Sequence, residues 1–303
     1  MEITASMVKD LREKTGAGMM DCKKALQETA NFDEAVDWLR KKGLSAAAKK
    51  SGRVAAEGLV AVDTDGTRGV VLEVNAETDF VARNNQFQSF VRSIVKPAYG
   101  ADSVEALKSM NLDGQSVEEK LTQLIATIGE NMSIRRSYVL EVNNGHVVSY
   151  MHNQVAENLG KIGILVGLET TAGLAEVKEM AEGIAMHIAA SNPAALDRDS
   201  LDPSLVEKER EILIAQARES GRPEEIIEKM VEGRIRKFYE ESVLLDQDYV
   251  LDSEKKVRDV VAALAKDLGK PITISAFLRL ELGEGIEKKE DDFAAEVASM
   301  AGQ

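Results

Sequence analysis

Hydrophobic positions along the chain change their period near residue 58, and the two periods predict different elements. Before it the spacing is helical. Thr4 is placed to cap a helix carrying Met7, Val8 and Leu11 that ends near Gly16, and Met19, Cys22, Ala25 and Leu26 predict a second, short helix. Asn31 with Glu34 three residues on reads as a capping box opening a third helix, which turns Ala35, Trp38 and Leu39 inward and stops at Gly43. Three helices in so few residues give a thin core, with Trp38 expected in it, and Lys49–Gly58 reads as a linker. Beyond it Leu59–Val62 and Gly69–Val74 predict a hairpin about Asp65-Gly66. Phe87, Phe90, Val91 and Ile94 recur at i, i+3, i+4, i+7 and predict an amphipathic helix. Ser116 and Glu119 box the start of another helix, with Leu121, Leu124, Ile125 and Ile128 on its apolar face, and Ile134–Val142 reads as a strand.

The same order then recurs. Val147–Met151 and Ile162–Leu168 read as strands, Val177–Ile188 as a helix, Val257 to Leu268 as a helix, and Ile272, Ile274, Leu278, Leu280 and Leu282 as an alternating strand. Strand, strand, helix, helix, strand occurs twice, which predicts an α+β chain with two related subdomains, each a sheet covered by helices on one face. The expected organisation is a three-helix module over 1–53, one core subdomain over 54–143, a second over 144–282 and a C-terminal helical module over 283–303. The second subdomain carries an insertion at about 197–242, where Pro203–Glu219 and Pro223–Glu241 predict two helices joined by Ser220-Gly221-Arg222. So short a loop forces an antiparallel hairpin, with Ile212 and Leu213 facing Ile226, Ile227, Met230 and Val231, and the hairpin should protrude as a coiled-coil arm. Asp291–Met300 predicts a terminal helix with Phe293 and Val297 on one side.

Composition narrows the class. The chain has 303 residues, 30% of them charged, with five prolines and one cysteine, which describes a helix-rich soluble protein without an internal disulfide, suited to a reducing cytoplasm. No run of 18 apolar residues and no secretory signal is present, so neither a membrane span nor export is expected. The net charge of −14 is uneven: residues 1–53 carry 11 Lys+Arg against 8 Asp+Glu, and the remainder 27 against 44. A body so acidic repels nucleic acid. The cluster of Lys41, Lys42, Lys49, Lys50 and Arg53 suits a solvated helix end or an acidic protein surface.

No catalytic set stands out. There is no phosphate loop of the G-x-x-x-x-G-K-[ST] type, no H-E-x-x-H and no G-x-S-x-G. The three histidines, His146, His152 and His187, are scattered, and His187 and Cys22 read as buried members of their helices. No cofactor or metal is expected. The conspicuous stretch is Glu73–Val81, where a strand-like run breaks at Asn75 and passes through Asp79-Phe80 into a helix. Contact residues concentrate at such junctions. Two readings fit the pattern: Asp79 or Thr78 caps the next helix with Phe80 packed beneath it, or Phe80 probes something outside.

Thr15-Gly16-Ala17-Gly18-Met19-Met20-Asp21-Cys22-Lys23-Lys24-Ala25-Leu26 closely resembles the N-terminal signature of the bacterial elongation factor Ts family. Glu73 to Ala82 resembles the family's second signature, and three further stretches, at His187–Pro193, Val231–Phe238 and Gly283–Lys288, follow in the family's order. The resemblance implies a guanine-nucleotide exchange factor for elongation factor Tu. Such a factor binds the GDP form, promotes GDP release and leaves when GTP binds, without bond-making chemistry. It implies a ubiquitin-associated-like N-terminal module, a two-part core, a coiled coil and a C-terminal module. Carried over, Thr78, Asp79, Phe80 and Val81 intrude near the partner's nucleotide-bound magnesium, and Met19, Met20 and His152 are further partner contacts. The segment His152–Gly160 looks longer than in familiar members. Family complexes include assemblies with two copies of each factor. The rival expectation is a helical adaptor that binds another protein through residues 1–53 alone.

Overall fold

A computed structural model describes residues 3–219 and 221–287. Helices α1 (Ala5–Thr15), α2 (Met19–Glu28) and α3 (Phe32–Lys50) form the N-terminal module, capped by Thr4 and Asn31 as expected. Their shared core is Leu11, Cys22, Ala25, Leu26, Ala35 and Leu39, with Trp38 half-buried at its margin. Helix α3 does not stop at Gly43. It runs on to Lys50, because Gly43 is buried against Ala126 of a core helix and the packing there outweighs the roughly 1 kcal/mol that a helical glycine costs. The linker is correspondingly shorter.

The first core unit contains β1 (Glu57–Asp65), β2 (Arg68–Ala76), α4 (Asn85–Ala98), the short α5 (Val104–Ser109), the small hairpin β3 (Asn111–Leu112) and β4 (Gln115–Ser116), α6 (Val117–Ile128) and β5 (Met132–Glu141). Gly66, at φ +62, opens the two-residue turn between β1 and β2, and Ser116 and Glu119 form the expected capping box. The second unit contains β6 (Gly145–His152), β7 (Leu159–Gly160), β8 (Ile162–Thr170), α7 (Leu174–Ser191), the arm helices α8 (Pro203–Arg218) and α9 (Glu224–Ser242), the hairpin β9 (Asp248–Tyr249) and β10 (Asp252–Lys256), α10 (Val257–Leu268) and β11 (Ile272–Glu281).

The predicted repeat is present in the topology. One sheet has the order β5-β2-β1-β7 and the other β11-β8-β6, all neighbours antiparallel, so in each unit the second strand lies between the third and the first. Each sheet is covered on one face by its own helices. The other faces pack on each other: Val60, Val62, Val71, Val147, Leu165 and Leu280 fill the space between the sheets, while Leu59, Ala61, Val70 and Leu72 face α4 and α6. Burial on both faces explains why these strands read as unbroken apolar runs. The sheets approach so closely that a Cβ on Gly163 would fall 2.7 Å from Val60 Cγ1. The fold is α+β in four layers, helices, sheet, sheet, helices. Strand β7 crosses over: it follows β6 in sequence but adds an edge to the first sheet.

The arm is an antiparallel hairpin, with a seam that differs in detail from the pattern. Leu213 and Ala217 meet Ile227, Val231 and Ile235, whereas Ile212 and Ile226 point outward at 43% and 45% exposure. At its base Leu244 N–H donates to the Ala195 carbonyl at 2.9 Å, closing entry against exit. The expected helix at Asp291–Met300 lies outside the described residues. The N-terminal module sits with α3 along α6, held by an Arg40–Glu119 ion pair and by Thr127 Oγ1 donating to the Gly16 carbonyl at 3.2 Å.

Candidate functional site

Strand β2 ends at Ala76, and α4 begins at Asn85. Between them the chain makes a 3-10 turn over Asp79–Arg83. The cap of α4 is Asn84, whose Oδ1 accepts from the backbone of Gln86 at 2.8 Å and Phe87 at 3.2 Å, so neither Thr78 nor Asp79 caps that helix. The turn is closed by Asn84 N–H to the Val81 carbonyl at 2.9 Å and by Gln88 Nε2 to the Ala82 carbonyl at 2.9 Å. Val81 and Ala82 face the core, at 3% and 6% exposure, and complete the cluster that holds Phe87 and Phe90. With three residues per turn and two of the three directions taken inward by Val81 and Ala82, the third, that of Phe80 and Arg83, is left to solvent. Phe80 is 80% exposed, and Asp79 is exposed beside it. Phe80 is therefore no core plug; Val81, Ala82 and Phe87 occupy that space.

The approach to the turn is anchored on two sides. Thr78 donates its backbone N–H to Glu130 Oε2 at 2.9 Å and its hydroxyl to Glu130 Oε1 at 2.6 Å. Glu77 Oε1 accepts from Asn131 N–H at 2.5 Å and lies 3.4 Å from Arg53 Nη1, while Asn131 Nδ2 donates to the Arg53 carbonyl at 2.7 Å. Gly129 makes these bonds geometrically available: its left-handed conformation, φ +91, ends α6 and turns Glu130 and Asn131 toward the junction. Among the described residues, no hydrogen bond or ion pair engages the Asp79 carboxylate.

Strand β2 itself is fixed by a buried carboxylate. Glu73 is fully buried and accepts from Asn75 Nδ2 at 2.9 Å, Arg136 Nε at 2.6 Å, Arg135 Nη1 at 3.2 Å and Gly283 N–H at 2.8 Å. Burial alone would raise its pKa, but the Gly283 amide, Asn75 and Arg136 outweigh it and hold the carboxyl below its ordinary range. Arg136 Nη2 also donates to the Glu281 carbonyl at 2.7 Å, and Arg135 Nη2 to that of Glu284 at 2.6 Å, so β2 and β5 are tied to the turn after β11.

The other expected contact residues sit on α2 and at the end of β6. Met19 and Met20 are 59% and 75% exposed on the first turn of α2. Just before them, Thr15 and Gly16 share a groove with Gln86 and Ser89 of α4. His152 ends β6, half-buried, with Nδ1 3.2 Å from the Tyr150 hydroxyl. Lys161 connects it to the junction: its N–H donates to the His152 carbonyl at 3.3 Å and its Nζ lies 3.8 Å from Glu57, which pairs with Ala76. His187 is a satisfied core histidine. It is 1% exposed, accepts from Val250 N–H at Nδ1 and donates from Nε2 to Gln247 Oε1 at 2.8 Å; burial lowers its pKa. Cys22 is buried and its thiol pKa is raised by that burial. Sequence reasoning does not single out Glu130 or Asn131, and it marks Arg53 only as the last member of a basic cluster. Glu130 and Asn131 sit in ordinary loop sequence, and Glu130 is 52 residues from Thr78, so no local pattern marks them.

The model of the family described as elongation factor TS matches residues 77–284 of this chain. Proteins named elongation factor Ts align over nearly their whole length. The one from Rhodospirillum centenum is 59% identical, covering 99% of both chains. That from Paramagnetospirillum magneticum is 58% identical, covering 99% of this chain and 98% of the relative. The chain belongs to the elongation factor Ts family. A member from Rickettsia bellii is 54% identical over 99% of this chain and 98% of its own. Membership makes the chain a translation elongation factor. The family match begins at Glu77, so it takes in the whole junction, and ends at Glu284, the residue that holds Arg135 and Arg136. The near-complete alignment with the named relatives extends it over the N-terminal module. Among the described residues no helix is long and apolar enough to cross a membrane, and no three His, Cys, Asp or Glu side chains gather as metal ligands.

Proposed function

We propose that this chain binds elongation factor Tu in its GDP form and speeds GDP release by displacing the nucleotide-bound magnesium, so that GTP can bind. The observation that carries the reading is the exposure of Phe80, at 80%, on a turn anchored by the buried Val81 and Ala82 and by the Thr78–Glu130 hydrogen bonds. A large apolar side chain held out in water gains about 1.5–3 kcal/mol when a partner buries it. That gain is available to push apart the partner segments that position the ion. Mg²⁺ requires near-ideal octahedral geometry, so a small displacement weakens its hold on the diphosphate. Asp79 reaches the partner beside Phe80, Thr78 and Val81 set the turn, and Met19, Met20 and His152 add contacts around it. No bond is made or broken: the factor acts by weakening GDP, and GDP weakens the factor by the same ratio. The cytoplasm, where translation proceeds, is its place of work.

The deciding experiment is release of labelled GDP from elongation factor Tu with catalytic amounts of this protein. Acceleration by substoichiometric factor supports exchange. An unchanged rate overturns it and leaves the adaptor reading, which a pull-down with the intact chain would then pursue.

A further inference from the structure

We propose that Glu130 is a positioning residue for Phe80, acting through Thr78; the activity arm of its test rests on the exchange reading above. The carboxylate meets Thr78 with one oxygen for each donor, Oε2 for the backbone N–H at 2.9 Å and Oε1 for the hydroxyl at 2.6 Å. Thr78 is the extended residue, φ −124 and ψ 156, from which the 3-10 turn departs. Its two backbone torsions set the direction in which Asp79 and Phe80 leave the sheet. On one side the ladder ends at the Ala76–Met132 pair, and on the other the buried side chains begin at Val81. Glu130 is the group that grips the interval at Thr78. An ionised acceptor holding two donors at once restrains orientation as well as distance.

The grip also has a fixed base. Glu130 directly follows Gly129, the left-handed residue that ends α6, and α6 carries the N-terminal module through Arg40–Glu119 and the packing of α3. Phe80 and the module bearing Met19 and Met20 are therefore both aligned on α6. A wedge that must enter a partner at a set angle while the module docks elsewhere on it needs such a common reference. Loss of Glu130 leaves Phe80 exposed and chemically unchanged but free to swing, so the effect falls on the rate within the complex rather than on its formation.

The test compares Glu130→Ala and Glu130→Gln in the full chain. Glu130→Ala is expected to lower the maximal rate of GDP release by about tenfold, the scale of a charge-assisted hydrogen bond, with the half-saturating factor concentration little changed. Glu130→Gln is expected to recover most of the rate, since its amide accepts from the Thr78 N–H and donates to the hydroxyl. Amide hydrogen exchange over residues 76–86 is expected to rise in Glu130→Ala and not in Glu130→Gln, with the remaining peptides unchanged. A wild-type maximal rate in Glu130→Ala, or a change confined to half-saturation, overturns the proposal, as does unaltered protection of that segment. Should Glu130→Ala fail to fold, Thr78→Val read by the same amide exchange takes its place, and unchanged protection there overturns the proposal. If the wild-type protein does not accelerate GDP release at all, the exchange reading fails, while the hydrogen-exchange arm still decides whether Glu130 holds the turn.

Discussion

The two core units share one topology, and their equivalent strand-to-helix junctions have opposite characters. In the first unit β2 leads to α4 through a 3-10 turn that leaves Phe80 80% exposed. In the second, β8 leads to α7 through Thr171, Ala172 and Gly173, and the middle residue is turned inward between two exposed ones. Ala172 is 4% exposed, its N–H donates to Thr170 Oγ1 at 3.0 Å, and its carbonyl accepts from His146 Nε2 at 3.0 Å. Thr170 Oγ1 in turn donates to the Pro271 carbonyl at 2.7 Å. The few added residues of the first junction suffice to carry an aromatic side chain outward, where the shorter connection turns its middle residue inward. The second unit spends its additional length later, between α7 and α10, on the arm. One scaffold thus offers a short rigid projection in one copy and a long helical one in the other, without disturbing either sheet.

Exchanging the characters of the two junctions is the direct way to break this comparison. Phe80→Ala is expected to cut catalysed GDP release by roughly 10- to 150-fold, the equivalent of about 1.5–3 kcal/mol for burying one phenylalanine. Its folding stability should move by less than about 0.5 kcal/mol, because an exposed side chain contributes little to the folded state. Urea denaturation beside the exchange assay checks both halves. A Phe80→Ala protein that unfolds would show the first junction to be as much a packing element as the second. The reciprocal change, Ala172→Phe, should leave exchange near the wild-type rate and lower stability by about 1–3 kcal/mol, since the added ring must enter a filled core. If Ala172→Phe is as stable as the wild type, Ala172 does not lie in a filled core.

How far the sequence foretold this depends on whether a feature is local. Helix α10 was legible to the residue, and the Ser116–Glu119 box appeared as read, because caps and apolar periods act within a few residues. The repeat was legible because each unit's strands and helices carry their own periodicity. The continuation of α3 through Gly43 was not, since only contact with α6, more than 70 residues away, favours it. Ile212 and Ile226 were misassigned to the seam because the register of two facing helices is a tertiary quantity. At the junction itself, an aromatic that plugs a core and one that leaves it have the same neighbours in sequence. Exposure of Phe80 follows from Val81 and Ala82 turning inward, and the Glu130 grip from a pairing across 52 residues. The family signature pointed to the residues, but the geometry that holds them is non-local.

The units differ also in the buried polar group each relies on, and pH separates the two. The first unit buries an ionised Glu73 whose pKa is held below the ordinary 4.5, and the second buries a neutral His187 whose pKa burial holds below the ordinary 6.5. Both depressed values work in the same direction. Above its unfolded pKa each group has the same charge in the folded and unfolded chain, and its contribution is fully present. As pH falls, the unfolded chain gains a proton that the folded chain resists, and the contribution is lost through the folded pKa. The windows differ: His187 begins to cost stability below pH 6.5, while Glu73 holds until pH falls under 4.5. One such group changes stability by at most about 1.4 kcal/mol per pH unit. Urea midpoints at about pH 7.5 and about pH 5.5 should therefore fall in the wild type, and fall less in His187→Gln, which has nothing to titrate there. Amide exchange at the lower pH should show the loosening around α7, Gln247 and Val250, with β2 and β5 still protected. Parallel losses in the two proteins, or opening of β2 before α7, would mean that the buried groups do not divide the molecule in this way.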